Sequence, residues 1–369
     1  MVSIATKNLW HEKMRLLISL GGIAFAIVLI LLLEGFAYGV FEQAAAYPKN
    51  SGAELFVVQD GIEGMQSARS IIPETLESTL AQLNEAKHVA GVIAAPIMFE
   101  RGGRKTPVIL IGYRPLDDMG GPWKLGSGRR PRRTDEIVLD LALAQRNNVK
   151  LGDKVEIQGK KFEVVGLSRE TTSWMNPYIF MIRAEAAGLL SARGSVSYFL
   201  IHLKSSADAG KARRRVVDLA AGFDVLTAKR VAENDTAILE DVMETPLKVI
   251  VTIAYIIGTL VIGLTVYTAV FSKLREYGLI KAVGAANGVL YAIVLKQAFI
   301  LTVIGFVVGT GVAFIAADRI TAAFPQFLIA IGRPVISRTF LIALVMALVA
   351  STVPVRTISR VDPLTVFRG

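Results

Sequence analysis

Four stretches of this chain stay uncharged for about the thickness of a bilayer, while the polypeptide between the first two reads as alternating apolar and polar positions. Leu16–Leu33 is the first run, and apolar character continues past Glu34 to Val40. Val249–Ser272 is bracketed by Lys248 and Lys273, Gln297–Ala317 is ended by Asp318, and Thr339–Val355 lies between Arg338 and Arg356. A helix rises about 1.5 Å per residue and the hydrocarbon core is about 30 Å thick, so about 20 apolar residues cross it. Each run predicts a transmembrane helix. The fourth is the shortest, and the apolar residues Pro334–Ile336 lengthen it.

Between the first two spans the period changes to that of strands. Ala53–Gln59, Val89–Phe99 and Tyr198–Leu203 are β-like, and Thr106–Tyr113 returns after the turn at Gly102-Gly103. Lys154–Ile157 and Phe162–Gly166 flank Gln158-Gly159-Lys160-Lys161, a hairpin signal with valine and isoleucine at alternate positions. Ile72–Glu85 and Ala207–Ala221 read as helices. The expected fold is an α-helical membrane protein with four transmembrane helices and an inserted α+β extracytoplasmic domain. Residues 1–40 form an interfacial segment and the first span, and 41–248 the inserted domain. The rest divides into a span at 249–272, a connector at 273–289, a span at 290–317, a loop at 318–338, a span at 339–355 and a tail.

Charge sets the orientation. The net charge is +10, and much of the basic excess flanks the apolar runs. One side holds Lys7, Lys13, Arg15, Lys273, Arg275, Lys281, Arg356, Arg360 and Arg368; the opposite short loop holds Arg319, Arg333 and Arg338. Basic short loops stay in the cytoplasm, so both termini are expected there. The first run is longer than a usual signal core, and Glu34 and Phe36 stand where a cleavage site would follow, so it reads as a retained anchor. The chain has no cysteine, which excludes disulfides and thiolate metal sites.

Catalytic constellations are missing. Gly159-Lys160 and Gly210-Lys211 lack the glycine spacing and following Ser/Thr of a phosphate-binding loop. No His-Glu-x-x-His or Gly-x-Ser-x-Gly occurs, and His11, His88 and His202 lie far apart in sequence. No catalytic, cofactor or metal site is expected. Glu34 and Lys296 are the ionisable residues near the spans, and both read as side chains snorkelling to an interface. A chain so poor in midplane charge does not suggest an ion channel or proton-coupled transporter.

Three segments remain as candidates for function. The connector Lys273–Asn287 begins with charge, places Leu279, Ile280 and Val283 on one helical face, and has Gly284 to close the helix. Gly305, Gly309, Ala313 and Ala317 recur every four residues, a stripe that lets helices approach closely, either within one subunit or between two; Gly35 and Gly39 repeat the pattern in the first span. Arg129-Arg130-Pro131-Arg132-Arg133 is either a solvated basic loop or a patch for an anionic partner.

The connector Arg275-Glu276-x-Gly278-Leu279-x-Lys281-Ala282-x-Gly284-Ala285 resembles the coupling segment of ABC-transporter permeases of the macrolide-exporter and cell-division type. Pro354-Val355-Arg356, Asp362-Pro363-Leu364 and Arg368 resemble that family's ending. Asp135–Asp140, Val149–Val155 and Phe162–Gly166 are similar to its extracytoplasmic core domain. The amino end, Lys13–Ala26, looks most like the permeases of heterocyst glycolipid exporters. The resemblance implies a bacterial cytoplasmic-membrane subunit that binds no cofactor itself. A separate ATPase would bind ATP and act on Arg275, Glu276, Gly278, Leu279, Lys281 and Gly284. It further implies a second permease copy, for which the Gly305, Gly309 and Ala313 stripe is the expected contact, and a membrane-fusion adaptor or other extracytoplasmic partner. Two outputs fit: export of an amphiphile, or activation of an external partner such as a wall hydrolase with nothing transported.

Overall fold

The computed structural model describes residues 13–359 apart from 67, 68, 118, 174, 175, 206 and 221. Numbered along the chain, its helices are α1 (Lys13–Ala44), α2 (Ala46–Asn50), α3 (Leu76–Leu80), α4 (Leu141–Arg146), α5 (Arg183–Leu189), α6 (Ala209–Leu219), α7 (Ala228–Phe271), α8 (Leu274–Ala282), α9 (Asn287–Ala323) and α10 (Arg333–Ser359). The strands are β1 (Leu55–Gln59), β2 (Ile72–Pro73), β3 (Ala86–Arg101), β4 (Arg104–Tyr113), β5 (Leu125–Gly128), β6 (Glu136–Asp140), β7 (Lys154–Ile157), β8 (Lys160–Ser168), β9 (Thr172–Ser173), β10 (Asn176–Ile182), β11 (Ser195–Val196), β12 (Tyr198–Leu203) and β13 (Phe223–Thr227). The chain forms two compact units. Gly39–Glu244 with Thr321–Leu328 makes one, and Met1–Tyr38, Thr245–Ile320 and Ile329–Gly369 make the other.

The first of these is an α+β domain on a mixed sheet ordered β13-β1-β12-β3-β4-β10-β6-β8-β5, with β7 on β8 and β9 on β10. Most neighbours run antiparallel, but β10 is parallel to β4 and β6 is parallel to β8. Successive strand residues point to opposite faces, and both faces of this sheet are covered. Leu55 and Val57 enter one core with Leu110, Ile179 and Phe199; Phe56 and Val58 enter another with Ile111, Phe180 and Leu200. That double burial explains why β10 reads as a near-continuous apolar run and why Ile137-Val138-Leu139 of β6 are consecutive apolar residues. Neither had been singled out as a strand, because neither alternates.

Local chemistry sets the helix starts. Asp140 caps α4 by accepting from the Ala142 amide at 2.8 Å, and Asp208 caps α6 by accepting from the Gly210 amide at 2.8 Å. The helix expected over Ile72–Glu85 shrinks to α3, because Ile72 and Pro73 pair with β11 as β2.

The second unit is helical. Four helices among the described residues, α1, α7, α9 and α10, are long and apolar enough to cross a membrane. Their shared core takes Ile23, Ile27 and Ile30 from α1, Ile262 and Val266 from α7, Val294, Ala298 and Leu301 from α9, and Ala343 and Met346 from α10. The helices outrun the spans read from hydropathy. Helix α7 begins at Ala228 and carries Pro246 within it. Hydropathy marks where lipid lies, whereas a helix continues wherever its backbone bonds are satisfied. Pro246 has no N–H to give the Val242 carbonyl, so the i→i−4 ladder is interrupted there.

Candidate functional site

Helix α8 is the connector between α7 and α9. Its first turn carries Glu276, placed well for the positive end of the helix dipole and 3.8 Å from Nζ of the buried Lys273. Its end is a Schellman closure: the Gly284 amide donates to the Lys281 carbonyl at 3.0 Å and the Ala285 amide to the Ile280 carbonyl at 3.3 Å. Gly284 sits at φ +98°, the left-handed region that glycine enters without steric cost.

The inward side of α8 is held by a residue outside the charged pattern that first marked the segment. Tyr277 is buried, and its hydroxyl donates to Oε1 of the buried Gln297 on α9 at 3.0 Å. Burial pushes the Tyr277 phenol up to about 12. Gly278 is buried beside it. The outward side is apolar and open: Leu279 is 54% exposed and Val283 84%. With Ile280, Gly284 and Ala285 they line an open groove of about 470 Å³. Thus the site residues Leu279 and Gly284 share one accessible surface, with Lys281 half-buried and Glu276 exposed on the same short helix. The Arg275 side chain lies outside the described residues, as do Asp362-Pro363-Leu364 and Arg368.

The small-residue stripe makes close contacts within the chain. A Cβ on Gly305 would lie 2.5 Å from Ile23 Cγ2, and one on Gly309 would lie 2.8 Å from the Ala24 carbonyl oxygen. Ala313 is fully buried in the same helical core. Gly305 and Gly309 therefore pack α9 against α1 inside one chain. Gly35 likewise lies against Ile329 and Ile331 of the same unit.

Glu34 also departs from its sequence reading. It does not snorkel: it is 0% exposed, accepts from the Thr339 hydroxyl at 2.7 Å, and lies 3.0 Å from Nε of Arg338. Hydropathy cannot see a partner 305 residues away. Lys296 is exposed, as expected.

In the outer domain, Arg129 and Arg133 of the basic cluster are paired locally. Arg129 makes a two-pronged bond to Glu136, at 2.7 Å on each oxygen, and Arg133 pairs with Asp135. The Arg129 guanidinium pushes the Glu136 carboxyl down to about 2. Arg132 is exposed and Arg130 half-buried, so the loop presents less positive charge than its sequence suggests. Asp140, in the same motif, is buried and accepts from the Thr171 hydroxyl at 2.7 Å; burial pushes its carboxyl up to about 6. His88 and His202, distant in sequence, face each other across β3 and β12 with stacked rings. Among the described residues no group of three or more histidine or acidic side chains could hold a metal ion.

An α+β domain inserted between the first two of four membrane helices, with a short connector helix between the second and third, defines a multi-pass permease. Residues 16–219 match the MacB-like periplasmic core domain family and residues 248–363 the FtsX-like permease C-terminal family. The chain belongs to the ABC transporter permeases of MacB/FtsX type, whose class implies an ATPase partner. It is 25% identical over 378 residues to an uncharacterised ABC transporter permease of Mycobacterium tuberculosis, covering 100% of both chains. It is 20% identical over 374 residues to a Staphylococcus epidermidis permease protein named for a hemin transport system, covering 100% of this chain and 99% of that one. The periplasmic region of MacB from Actinobacillus actinomycetemcomitans superposes with a TM-score of 0.40 at 13% identity, covering 50% of this chain and 92% of that one. These matches do not bear on the likeness of the amino end to heterocyst glycolipid exporters.

Proposed function

We propose that this permease takes mechanical work from a separate cytoplasmic ATPase through α8 and delivers it to the outer domain, which moves an amphiphilic substrate at the extracytoplasmic face. Both termini lie in the cytoplasm, following the basic bias of the short loops. The observation that carries the reading is the two-sidedness of α8. Tyr277 ties it to α9, so a push on α8 is passed to a membrane helix, while Leu279 and Val283 stand open for a partner. The absence of a phosphate-binding loop from the sequence supports a partner as the source of energy. A relative named for transport of hemin, an amphiphile, favours export over activation of an external enzyme. With the α9 stripe packed inside the chain, the exposed face Val249, Ile253, Ile256, Leu260 and Leu264 of α7 is the one we assign to a second copy.

Burying a leucine or valine side chain contributes about 1.5–3 kcal/mol. Replacing Leu279 and Val283 together by serine should weaken association with the ATPase at least tenfold and abolish permease-dependent hydrolysis, while the exposed positions leave the fold intact. Co-purification and ATPase activity in lipid measure this. Wild-type association and hydrolysis in the double variant would overturn the proposal.

A further inference from the structure

The segment that follows β1 lies over the first turns of α7 and ties three elements of the outer domain together. The Gly61 amide donates to Asp224 of β13 at 3.3 Å. Nδ2 of Asn234, on α7, donates to the Glu63 carbonyl at 2.8 Å. The Gln66 amide donates to Oδ1 of Asp235, the next residue of α7, at 2.9 Å, and the Met65 amide faces the same carboxylate. Nε2 of Gln66 donates to Ser173 of β9 at 2.6 Å. The approach is close enough that a Cβ on Gly64 would lie 2.3 Å from Asp235 Oδ1.

Two features set this contact apart from ordinary packing. Asp235 is 1% exposed, and the partners given above for its carboxylate are backbone amides. Burying a carboxyl that way is costly where an apolar residue would fill the space, and the backbone amides it accepts from offset part of that cost. The second feature is position. Val231 and Ala232 of α7 are buried at the same level, whereas Ile238, Glu240, Asp241 and Val242 further along the helix are exposed. The sheet therefore grips α7 at its root, and α7 continues from that root as one helix into its membrane-crossing stretch.

We propose that Asn234 and Asp235, closing on Glu63–Gln66 over Gly64, form the clasp through which movement of α7 reaches the sheet of the outer domain. Asp235 is a positioning residue in this role. The inference rests on the mechanical reading of α8 given above. A contact held by directed hydrogen bonds keeps its register under load, where an apolar contact of the same size would slide. The clasp joins α7 to β13 and β9 at once, so displacement of the helix root displaces both.

The test uses the full permease with its ATPase in lipid, with backbone hydrogen exchange followed before and after trapping with ATP and orthovanadate. In the wild type, trapping should change exchange in α8 and also in β1 and β13. In Asp235→Ala, and independently in Gly64→Ala, the α8 response should persist while the β1 and β13 response falls at least fivefold; Asp235→Asn, which keeps the acceptor oxygen, should retain most of it. A merely structural role would alter exchange in β1 and β13 equally with and without the nucleotide, and that result overturns the clasp. So does an undiminished β1 and β13 response in Asp235→Ala and Gly64→Ala, or its absence from the wild type while α8 responds. Loss of the α8 response in the wild type would instead refute the coupling role of that helix, and the clasp with it.

Discussion

The sharpest check on the membrane unit compares two glycines of the same helix. Gly305→Ala and Gly311→Ala make the same chemical change in α9. At Gly311 the added methyl meets nothing within 4 Å, whereas at Gly305 it would sit 2.5 Å from Ile23 Cγ2 and 2.9 Å from Ile23 Cβ. Alanine is favoured over glycine inside a helix by about 0.5–1 kcal/mol, and this gain applies to both. Forcing an extra methyl into a packed contact costs about 1–3 kcal/mol, and this applies to Gly305 alone. The helix-propensity gain cancels in the comparison, leaving Gly305→Ala about 1–3 kcal/mol less stable than Gly311→Ala. Reversible unfolding in mixed micelles, followed by circular dichroism, reads that gap, and sedimentation on the same samples reads the oligomeric state. Equal stability of the two variants would refute the α1–α9 packing. So would a Gly305→Ala protein that keeps its subunit stability but loses its association with a second copy.

Asp140 makes outer-domain stability depend on pH. Its carboxyl is raised from 3.8 to about 6 by burial, so the folded state holds the proton more tightly than the unfolded chain. The resulting stability is present below pH about 4 and is lost as pH rises toward 6, on the order of 3 kcal/mol. Asp140→Asn should remove that slope from denaturation curves recorded across this window, and an unchanged slope would contradict the assignment. Gly284→Val should cost about 1–2 kcal/mol through its φ of +98° alone, since no atom lies within 4 Å of the new Cβ. The variant should insert normally yet uncouple the ATPase; coupling equal to wild type would show that the closure of α8 is dispensable.

The spans and six strands of the outer domain, β1, β3, β4, β7, β8 and β12, were legible from local signals: long uncharged runs for lipid, and short apolar or alternating runs bounded by turn residues for strands. β6 and β10 were not, because covering both sheet faces erases alternation, and a short apolar run has no period to read. At the connector, the charged residues and Gly284 stood out as motif letters, and the glycine does hold the left-handed position expected of it. Tyr277 did not, because its importance comes from Gln297, twenty residues on. The glycine stripe gave the right physics, close helix approach, but a spacing cannot name the helix that approaches. Asn234 and Asp235 looked like ordinary polar residues ahead of a span; only the fold brings Gly64 and Gln66 onto them.

The bond between Glu34 and the Arg338–Thr339 pair has a consequence for how the chain is made. Thr339 is 305 residues beyond Glu34, and synthesis at about 5–20 residues per second separates them by roughly 15–60 s. Throughout that interval the first helix holds an acidic side chain whose partner has not yet been translated. A charge left unmatched at depth in a membrane costs about 2.5–3.5 kcal/mol on insertion scales, less near an interface. A chain cut short before Arg338 would leave the Glu34 side chain without either of these partners.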